Sequence, residues 1–370
     1  MIILHTVTRG SGGGTMRSLK QAIDFERSLG NQVWICSGNI GNQDKGHIYI
    51  PALVRRINPY SDIRAAIQLN RAIRAVNPDV IHSHESKAGI LTRLLSFKFK
   101  KIVFVHTVHM ATFHSQENNL IQHIYSYLEK LMARKTEFLI FVSPGLKQIY
   151  EKMNISAKTG SLVLRSRVDL EVFRARSSSR IEDRYYLRNL LQLDENSLCI
   201  IHVGLLEERK RPEFILKSLA DLIKSQKLVH LLFVGDGPML TRLQSLASSL
   251  GVSEKVHFVG FVDDPDLWMS GSDILVLASK FEGFPQVAIQ AAAVGLPVIA
   301  TDLEEYQGSG FIQQLSPEES MGDKIEEVLK QNRLAYREFE EELSGWNSDS
   351  INRKHEILLN DIYTLTMRAN

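Results

Sequence analysis

The stretch from Phe281 to Asp302, FEGFPQVAIQAAAVGLPVIATD, decides the fold because it holds a loop, a short helix and a buried strand in succession. Pro285 is predicted at the first helical position, and Gly295 just past the helix end. Pro297 then marks the point where the helix has stopped, and VIAT reads as a short buried strand. A loop, helix and strand in this order form the repeating unit of an α/β protein.

The same alternation fills the 370 residues of the chain twice over. Apolar runs predict buried strands in the first half at 2–8, 32–38, 79–84, 101–107 and 138–143. In the second half they predict strands at 197–204, 229–235, 256–260, 273–279 and 297–301. Amphipathic stretches predict helices at 62–76, 119–135, 212–225 and 239–251. This pattern indicates two doubly wound parallel sheets, with ligands at the carboxyl ends of the strands.

The chain is longer than one hydrophobic core usually serves, so we expect two domains. Their predicted bounds are 1–173 and 191–348. The polar, basic and Ser-rich stretch between them predicts a linker over 174–190. Residues 349–370 predict a helix that returns to the first domain.

Composition and charge limit the class of protein. With 44% hydrophobic and 23% charged residues, the chain is globular and not disordered. Residues 1–190 hold 28 Lys/Arg against 14 Asp/Glu, whereas 191–370 hold 16 against 28. This asymmetry indicates that the first half meets an anion such as phosphate, lipid headgroups or acidic sugar, or that the two halves attract each other.

Cysteine usage and apolar runs bear on the compartment. Cys36 and Cys199 lie far apart and predict a reducing compartment, with both thiols buried as spectators. The N-terminus lacks the pattern of a signal peptide, and no run approaches the ~20 apolar residues that span a bilayer. We expect a cytoplasmic protein, with a peripheral contact at the inner membrane left open.

The loop before the predicted helix has the features of an anion site. Free backbone N–H groups and the helix dipole favour a phosphate there, and Gly283 lets a ligand approach closely. Glu282 would accept hydrogen bonds from sugar hydroxyls, and Gln290 on the second turn would reach ribose hydroxyls. These features predict a sugar nucleotide site, whose binding residues are Gly283, Phe284, Pro285, Gln286 and Gln290.

The same segment resembles the signature of the retaining GT-B glycosyltransferase family (glycosyl transferases group 1, the E-x7-E type). FVGDGPMLTRLQSLASSLGVSEKVHFVGFV at 233–262 is similar to the same family, and the resemblance fades after about Asp302. It implies an α/β, GT-B fold of two Rossmann-like domains facing a central cleft. Residues 1–173 would then be the acceptor-side domain, and 191–348 the nucleotide-sugar-binding domain.

Three positions depart from the family pattern. Gln290 stands where the family has a second glutamate that holds the ribose, so we expect weaker donor binding. Leu205 stands where the family has an arginine, and Ser166-Arg167 replaces Asn-Gly. Arg167 could offer a new anion contact in place of the lost glycine turn.

The resemblance also assigns catalytic roles. In HVGLLEERKRPEF (202–214), Lys210 matches the family's lysine and Arg209 adds a second cation. Both would neutralise the leaving diphosphate, although a solvated basic turn is the alternative. Glu282 would lie beside the transferring sugar. Gly204, Gly260 and Phe261 would contact the nucleotide, the last two near its base.

In the first domain, RGSGGGTMRSLKQA (9–22) resembles the family's first loop, whose backbone lies against the diphosphate and the sugar. We assign Gly12, Gly13 and Gly14 to that role. In FVHTVHMATFH (104–114), His109 matches the family's cleft histidine facing the donor sugar. The other two histidines of this stretch, His106 and His114, are predicted bystanders.

The sequence gives weaker evidence for the residues that bind the acceptor. HSHESKAGILTRL (82–94) resembles the loop and helix that line it, with His84, Glu85 and Lys87 as candidates. No metal is expected, because Asp263-Asp264 lies in a turn and the family works without one. No cofactor is expected either, since the nucleoside diphosphate sugar is a substrate.

The resemblance implies a metal-independent retaining glycosyltransferase that moves a sugar from a nucleoside diphosphate sugar, a UDP-sugar being expected. The acceptor would be a hydroxyl of a glycan or lipid-linked molecule in bacterial cell-surface polysaccharide biosynthesis. The expected partners are donor, acceptor and the cytoplasmic membrane face, with no nucleic acid. Two alternatives stay open: a donor-binding subunit with weakened catalysis, and a sugar-nucleotide epimerase of the same fold.

Overall fold

A computed structural model gives the structure of the protein. It describes residues 1–8, 13–38, 46–54, 58–111, 120–168, 170–263, 265–306, 309–331 and 339–369. The chain forms two compact units, one of residues 1–167 with 348–370 and the other of residues 168–347.

The first unit is built on a seven-stranded parallel sheet with the order β3-β2-β1-β4-β5-β6-β7. The order reverses between β1 and β4, and a doubly wound sheet binds ligands outside its carboxyl edge at such a point. In register, His5 of β1 lies beside His82 of β4. The strands are β1 Ile2–Val7, β2 Gln32–Ser37, β3 His47–Tyr49, β4 Val80–His84, β5 Val103–Val108, β6 Phe138–Phe141 and β7 Gly160–Val163.

Helices cover both faces of this sheet. They are α1 Gly13–Ser28, α2 Pro59–Val76, α3 Ser86–Leu94, α4 Leu120–Ala133, α5 Pro144–Lys152 and α14 Ser348–Ala369. On one face, Leu358 and Ile362 of α14 pack with strand residues such as Val105 in a core that α1 completes. On the other face, α2 and α3 bury Leu69 and Ala88 against the sheet. Successive strand residues point to opposite faces and both faces are covered, so the buried runs are largely apolar, with buried histidines, threonines and a serine in β1, β4 and β5.

The second unit repeats the plan with a six-stranded parallel sheet of order β10-β9-β8-β11-β12-β13. Its strands are β8 Leu198–Val203, β9 Val229–Val234, β10 Val256–Gly260, β11 Ile274–Leu277, β12 Val298–Thr301 and β13 Ile312–Leu315. Its helices are α6 Leu170–Ser177, α7 Arg180–Leu190, α8 Pro212–Ser225, α9 Leu240–Ser249, α10 Pro265–Gly271, α11 Gln286–Ala293, α12 Met321–Lys330 and α13 Glu340–Ser344. Here the order reverses between β8 and β11.

The predicted linker over 174–190 is not a linker. It lies in α6 and α7, which belong to the second unit, and the unit boundary falls between Arg167 and Val168. The basic, polar composition of 174–190 suggested a solvated linker, but the arginines of this stretch are paired with other groups of the second unit. Arg188 is buried and bonds to Asp273 at 2.7 Å and to the Ser197 carbonyl at 2.6 Å.

Residues 281–302 form the predicted loop, helix and strand, with one shift. Pro285 is the N-cap of α11 and not its first residue, since its ψ of 114° is extended. The helix ends in a Schellman motif, in which Leu296 N–H donates to Ala291 O at 2.8 Å and Gly295 N–H to Ala292 O at 3.0 Å. Gly295 has the positive φ of 73° that this motif requires.

Within the described residues, no helix is both long enough and apolar enough to cross a membrane.

Candidate functional site

Three glycines at the carboxyl ends of adjacent strands bring their backbones together in the second unit. Gly235, after β9, donates its N–H to the carbonyl of Gly260 at 2.8 Å. A Cβ on Gly235 would lie 2.0 Å from the carbonyl oxygen of Gly204, which follows β8. The structure therefore groups two predicted nucleotide contacts, Gly204 and Gly260, with Gly235. The FVGDG phrase already contained Gly235, and sequence reasoning did not assign it.

Phe261, predicted near the nucleotide base, extends from this glycine group. It follows Gly260 at the end of β10, and its side chain is 73% exposed. A large aromatic ring left in water beside a glycine backbone can stack on a planar base.

The α11 segment holds the other predicted nucleotide contacts. Gly283 and Pro285 are buried in the loop, Gln286 begins the helix, and Gln290 is buried on its second turn. The ring of Phe284 instead packs against Trp346, with 4.7 Å between ring centroids. Its side chain therefore belongs to the core, which leaves its backbone as the part that a ligand could contact.

Glu282 is held by three donors at the carboxyl end of β11. Its Oε1 accepts from Ser279 Oγ at 2.7 Å, lies 3.0 Å from Arg209 Nη1, and accepts a short hydrogen bond from Lys210 Nζ. Both cations lie in the turn 208–210 that follows β8. The structure therefore brings all three predicted catalytic residues of the second unit together.

The cations are anchored on more than one side. Arg209 donates to Glu207 Oε1 at 2.8 Å and to the carbonyl of Phe281 at 3.4 Å. Its own carbonyl accepts from Lys280 N–H at 2.9 Å, which ties the turn to the strand end of β11. The alternative of a solvated basic turn does not hold, because Arg209 and Lys210 are only 19% and 13% exposed.

The charges around Glu282 set its protonation state. Burial alone would raise the pKa of Glu282, but the charges of Lys210 and Arg209 and the hydrogen bonds to its oxygen hold that pKa below its usual range. Glu282 is therefore an anion at neutral pH. It can accept hydrogen bonds from hydroxyl groups and it orients both cations.

His202 lies beneath this site and was not singled out from the sequence. Its Nδ1 lies 3.0 Å from the carbonyl of Val276 and so carries the proton, while its buried Nε2 has no hydrogen-bond partner among the described residues. Burial lowers the pKa of His202 to about 4, so the ring is neutral. Its position two residues before Gly204 was the available signal.

The predicted residues of the first unit are placed separately. Gly13 and Gly14 begin α1, as a helix-opening glycine turn predicts. Gly12 and His114 lie outside the described residues, as does Asp264 of the second unit.

His109 directly follows β5, at the carboxyl edge of the first sheet. Its Nε2 lies 3.2 Å from Nδ1 of His84, and burial lowers the pKa of His109 to about 4. His106, predicted as a bystander, is buried with its Nδ1 2.9 Å from Ser83 Oγ.

The acceptor candidates have other partners. His84 is 4% exposed and lies within the sheet core. Glu85 accepts from Thr8 N–H at 3.0 Å and has a positive φ of 60°, a rare conformation for a residue with a side chain. Lys87 pairs with Asp62 at 2.6 Å. Of the three, Glu85 is the one with a positive φ, and its role at the acceptor side stays a prediction.

Arg167 does not offer an open anion contact. Its guanidinium is buried, with Nε donating to Asn352 Oδ1 at 2.7 Å and Nη2 lying 2.9 Å from Nδ1 of His355. The expected anion role is therefore wrong, since the charge anchors α14 within the first unit. Burial lowers the pKa of Arg167 to about 10.

Three buried histidines of the first unit could hold a metal ion by distance alone. Ring nitrogens of His5, His82 and His84 lie within 4.8 Å of one another. Both nitrogens of His5 are engaged, however, Nδ1 at 3.0 Å from His84 Nε2 and Nε2 at 2.7 Å from Glu26 Oε2. An ion would have to displace these hydrogen bonds. Sequence reasoning missed His5, His82 and Glu26, although histidines on adjacent predicted strands were the available signal.

The family follows from comparison with known proteins. The model of Glycosyl transferases group 1 matches residues 185–342, and that of Glycosyltransferase Family 4 matches residues 12–162. Residues 185–342 thus match the group 1 glycosyltransferases, and residues 12–162 match a second glycosyltransferase family. The resemblance to GT-B glycosyltransferases stated from the sequence is thereby confirmed, and the chain is a glycosyltransferase, while the retaining mechanism stays a prediction.

Relatives and solved structures agree with this assignment. This glycosyltransferase is 26% identical over 301 residues to the UDP-Gal:alpha-D-GlcNAc-diphosphoundecaprenol alpha-1,3-galactosyltransferase of Escherichia coli. The match covers 77% of this chain and 77% of that enzyme. It is 22% identical to the capsular polysaccharide biosynthesis glycosyltransferase CapM of Staphylococcus aureus, over 90% of this chain and 88% of CapM. The Anabaena HepE structure in complex with UDP-glucose matches with a TM-score of 0.77 at 18% identity, covering 98% of this chain and 100% of HepE. The predicted GT-B fold is confirmed.

Proposed function

We propose that this glycosyltransferase moves a sugar, with retention of configuration, from a UDP-sugar to a hydroxyl of a lipid-linked or glycan acceptor. The reaction would serve bacterial cell-surface polysaccharide assembly. The observation that carries the proposal is the anionic Glu282, held by Lys210 and Arg209 beside the N-terminus of α11. The name of the Escherichia coli relative supports a UDP-sugar donor, and that of the Staphylococcus aureus relative supports a role in polysaccharide biosynthesis.

The diphosphate of the donor would bind where positive charge converges. The N-terminal amides of α11 face an anion with the positive end of the helix dipole. Arg209 and Lys210 are preorganised by their carboxylate partners, so little reorganisation accompanies the growth of negative charge on the leaving group. Because these two cations supply the charge, we propose that transfer needs no metal.

The nucleoside would extend from the diphosphate along the glycine group. Its base would stack on the exposed ring of Phe261, against the close backbones of Gly204 and Gly260. The buried amide of Gln290 would accept from ribose hydroxyls more weakly than a carboxylate does.

The reaction requires no enzymic nucleophile. The bond between the anomeric carbon and the diphosphate oxygen breaks, and its electron pair stays with that oxygen. The acceptor hydroxyl oxygen bonds to the anomeric carbon on the same face, and its proton passes to the leaving phosphate. The products are UDP and the glycoside.

The first unit would hold the acceptor. It contains 26 Lys/Arg against 13 Asp/Glu, so the basic excess noted in the sequence follows the structural units. A basic surface suits a diphosphate-linked lipid and the anionic face of a cytoplasmic membrane.

The test is a transfer assay with a short polyprenyl diphosphate-linked N-acetylhexosamine and UDP-, GDP- and ADP-hexoses. We expect UDP release and an extended lipid-linked glycan with the UDP-sugar, unchanged by EDTA. A new UDP-sugar epimer formed without acceptor would support the epimerase. Neither product, with any donor, would refute the proposal.

A second candidate function is a subunit that binds the donor with weakened catalysis. Two observations favour it: Gln290 replaces a carboxylate, and Leu205, where the family has an arginine, is 44% exposed. Calorimetry that detects UDP-sugar binding while no acceptor is extended would identify this case.

A further inference from the structure

A stripe of exposed apolar and basic side chains runs along α2. Tyr60, Ile63, Ile67, Arg71 and Arg74 recur every three or four residues and are all exposed, so they share one side of the helix. The buried residues of α2 lie on its other side, against the sheet. Ile63 and Ile67 are 64% and 48% exposed, so the packing of the first unit does not explain the stripe.

The neighbouring helices α3 and α4 continue this surface. Lys87 of α3 pairs with Asp62 of α2 at 2.6 Å. Arg93 of α3 binds Glu129 of α4 through two hydrogen bonds of 2.8 and 2.7 Å. The three helices therefore form one layer. We call the outer surface of residues 59–76, 86–101 and 122–135 the basic face.

Apolar side chains are exposed on every part of the basic face. Beyond α2, the exposed large apolar residues are Leu94, Phe97, Ile124, Tyr127 and Leu131. Lys135 Nζ lies 5.0 Å from the centre of the Phe97 ring, which places the end of α4 against the turn that follows α3. A patch of this kind, unlike a single exposed apolar residue, marks an interaction surface.

Cations greatly outnumber acids on the basic face. Its residues include 11 Lys/Arg against two Asp/Glu. Both acids are the paired Asp62 and Glu129, which leaves an excess of nine cations. Three of these, Lys98, Lys100 and Lys101, are exposed just after the turn that follows α3. In contrast, α1 and α14 on the other side of the sheet hold six Lys/Arg against five Asp/Glu. The positive charge of the first unit is therefore concentrated on one side.

The combination of apolar and basic side chains fits an anionic lipid bilayer. Aliphatic side chains leave water when they enter the boundary between headgroups and acyl chains, and tyrosine rings favour the same depth. Lys and Arg side chains there complement the negative headgroups. A nucleic acid would also bind the cations through its phosphates, but it would leave Ile63, Ile67 and Leu131 in water.

We propose that the basic face docks the first unit on a membrane that contains anionic lipid. The apolar side chains of α2 and α4 enter the headgroup region, and the Lys and Arg side chains contact lipid phosphates. The use of this docking, which is to reach a lipid-linked acceptor, rests on the proposed function. The docking itself rests on the surface of the first unit.

The first experiment measures co-sedimentation of the full chain with vesicles of phosphatidylglycerol and phosphatidylcholine. We expect binding that weakens as the salt concentration rises, and binding at least about tenfold weaker to phosphatidylcholine alone. The triple variant Lys98→Gln, Lys100→Gln and Lys101→Gln should bind the anionic vesicles at least about tenfold more weakly, since each cation near such a surface contributes about fivefold.

A charge-matched control removes three exposed cations from the other side of the sheet. It carries Lys20→Gln, Arg353→Gln and Lys354→Gln, on α1 and α14. Its binding to the anionic vesicles should fall by less than about threefold, because these positions do not face the bilayer. Equal losses in the two triple variants would show that only the net charge matters, and would overturn the proposal.

A second pair of variants tests the apolar contribution. Ile63→Gln with Ile67→Gln should weaken vesicle binding about tenfold at low and at high salt, because apolar insertion is not screened. The control is Ile357→Gln with Met367→Gln on α14, whose side chains are 62% and 63% exposed. It should bind like the wild type. Thermal unfolding checks that all variants stay folded.

Two further outcomes would overturn the docking. One is a wild type that does not sediment with anionic vesicles. The other is a wild-type dimer that Ile63→Gln with Ile67→Gln makes monomeric while vesicle binding is unchanged, since a second copy would then cover this face. The transfer assay separates the two proposals. A wild type that binds vesicles but transfers no sugar refutes the proposed function alone, and one that transfers sugar without binding vesicles refutes the docking alone.

Discussion

Lys210 donates a hydrogen bond to Glu282 across a sequence separation of 72 residues. The two residues meet because β8 and β11 are adjacent in the second sheet and each is followed by its functional turn. The pair lies where the strand order reverses, which is the expected ligand position in a doubly wound sheet.

The substitution Glu282→Gln should lower kcat by roughly 10²–10³ in the transfer assay, because the anion that orients both cations is lost. Glu207→Gln is the control, since the Glu207 side chain pairs with Arg209, whereas Glu207 binds Lys210 through its backbone carbonyl, which the substitution keeps. We expect kcat of Glu207→Gln to fall less than tenfold. A Glu282→Gln enzyme with full activity would refute the site assignment.

The substitution Gln290→Glu should tighten UDP-sugar binding by about fivefold, because a charged acceptor bonds more strongly to ribose hydroxyls. Calorimetry measures this directly. Gln286→Glu adds the same charge at the start of α11, where it would repel a diphosphate, and should weaken binding. Weaker binding to Gln290→Glu, or tighter binding to Gln286→Glu, would contradict the proposed pose of the nucleotide.

The stability of the second unit should fall as the pH drops from about 6.5 to 4. Burial lowers the pKa of His202 from 6.5 to about 4, so in this range the unfolded chain binds a proton that the folded chain does not. His202 then contributes a slope of up to about 1.4 kcal/mol per pH unit, which is absent above pH 6.5. Urea unfolding of His202→Gln between pH 7 and 4 should give a flatter dependence than the wild type. Parallel curves would show that His202 is not responsible.

The substitution Gly235→Ala should destabilise the second unit by about 2–4 kcal/mol, because its Cβ would overlap the backbone of Gly204. Gly251→Ala is the control, with a positive φ of 68° but no atom within 4 Å of the added carbon. Gly251→Ala should lower the free energy of unfolding by about 1 kcal/mol. Denaturant unfolding measures the free energy of unfolding of both variants. Equal losses would show that the close approach of Gly235 to Gly204 does not require a glycine.

Strand and helix order was predictable because buried parallel strands read as continuous apolar runs. The short edge strand β3 and the strands β7 and β13 were missed, since four or fewer residues with few apolar side chains leave little pattern. The linker prediction failed at α6 and α7 because composition does not reveal that Arg188 pairs with Asp273.

The site was predictable where each residue lies in a recognisable motif, as Glu282 and Lys210 do. It was not predictable where the surroundings of a side chain depend on sequence-distant partners that no motif contains. Glu26 and His355 are separated by more than 300 residues, and only the packing of α14 in the first unit brings them together. Arg167 was misjudged for the same reason, because its partners lie on that helix.

The most direct test of the account is a calorimetric titration of UDP-glucose into the wild type, Lys210→Gln and the control Lys280→Gln. Lys280 is 42% exposed and pairs only loosely with Glu208, at 3.6 Å. We expect saturable binding to the wild type and to Lys280→Gln, and at least tenfold weaker binding to Lys210→Gln, because a charge-assisted contact to the diphosphate is lost. Absence of binding to the wild type at millimolar UDP-, GDP- and ADP-sugar, or equal affinity in all three proteins, would contradict the claim that this site holds a sugar nucleotide.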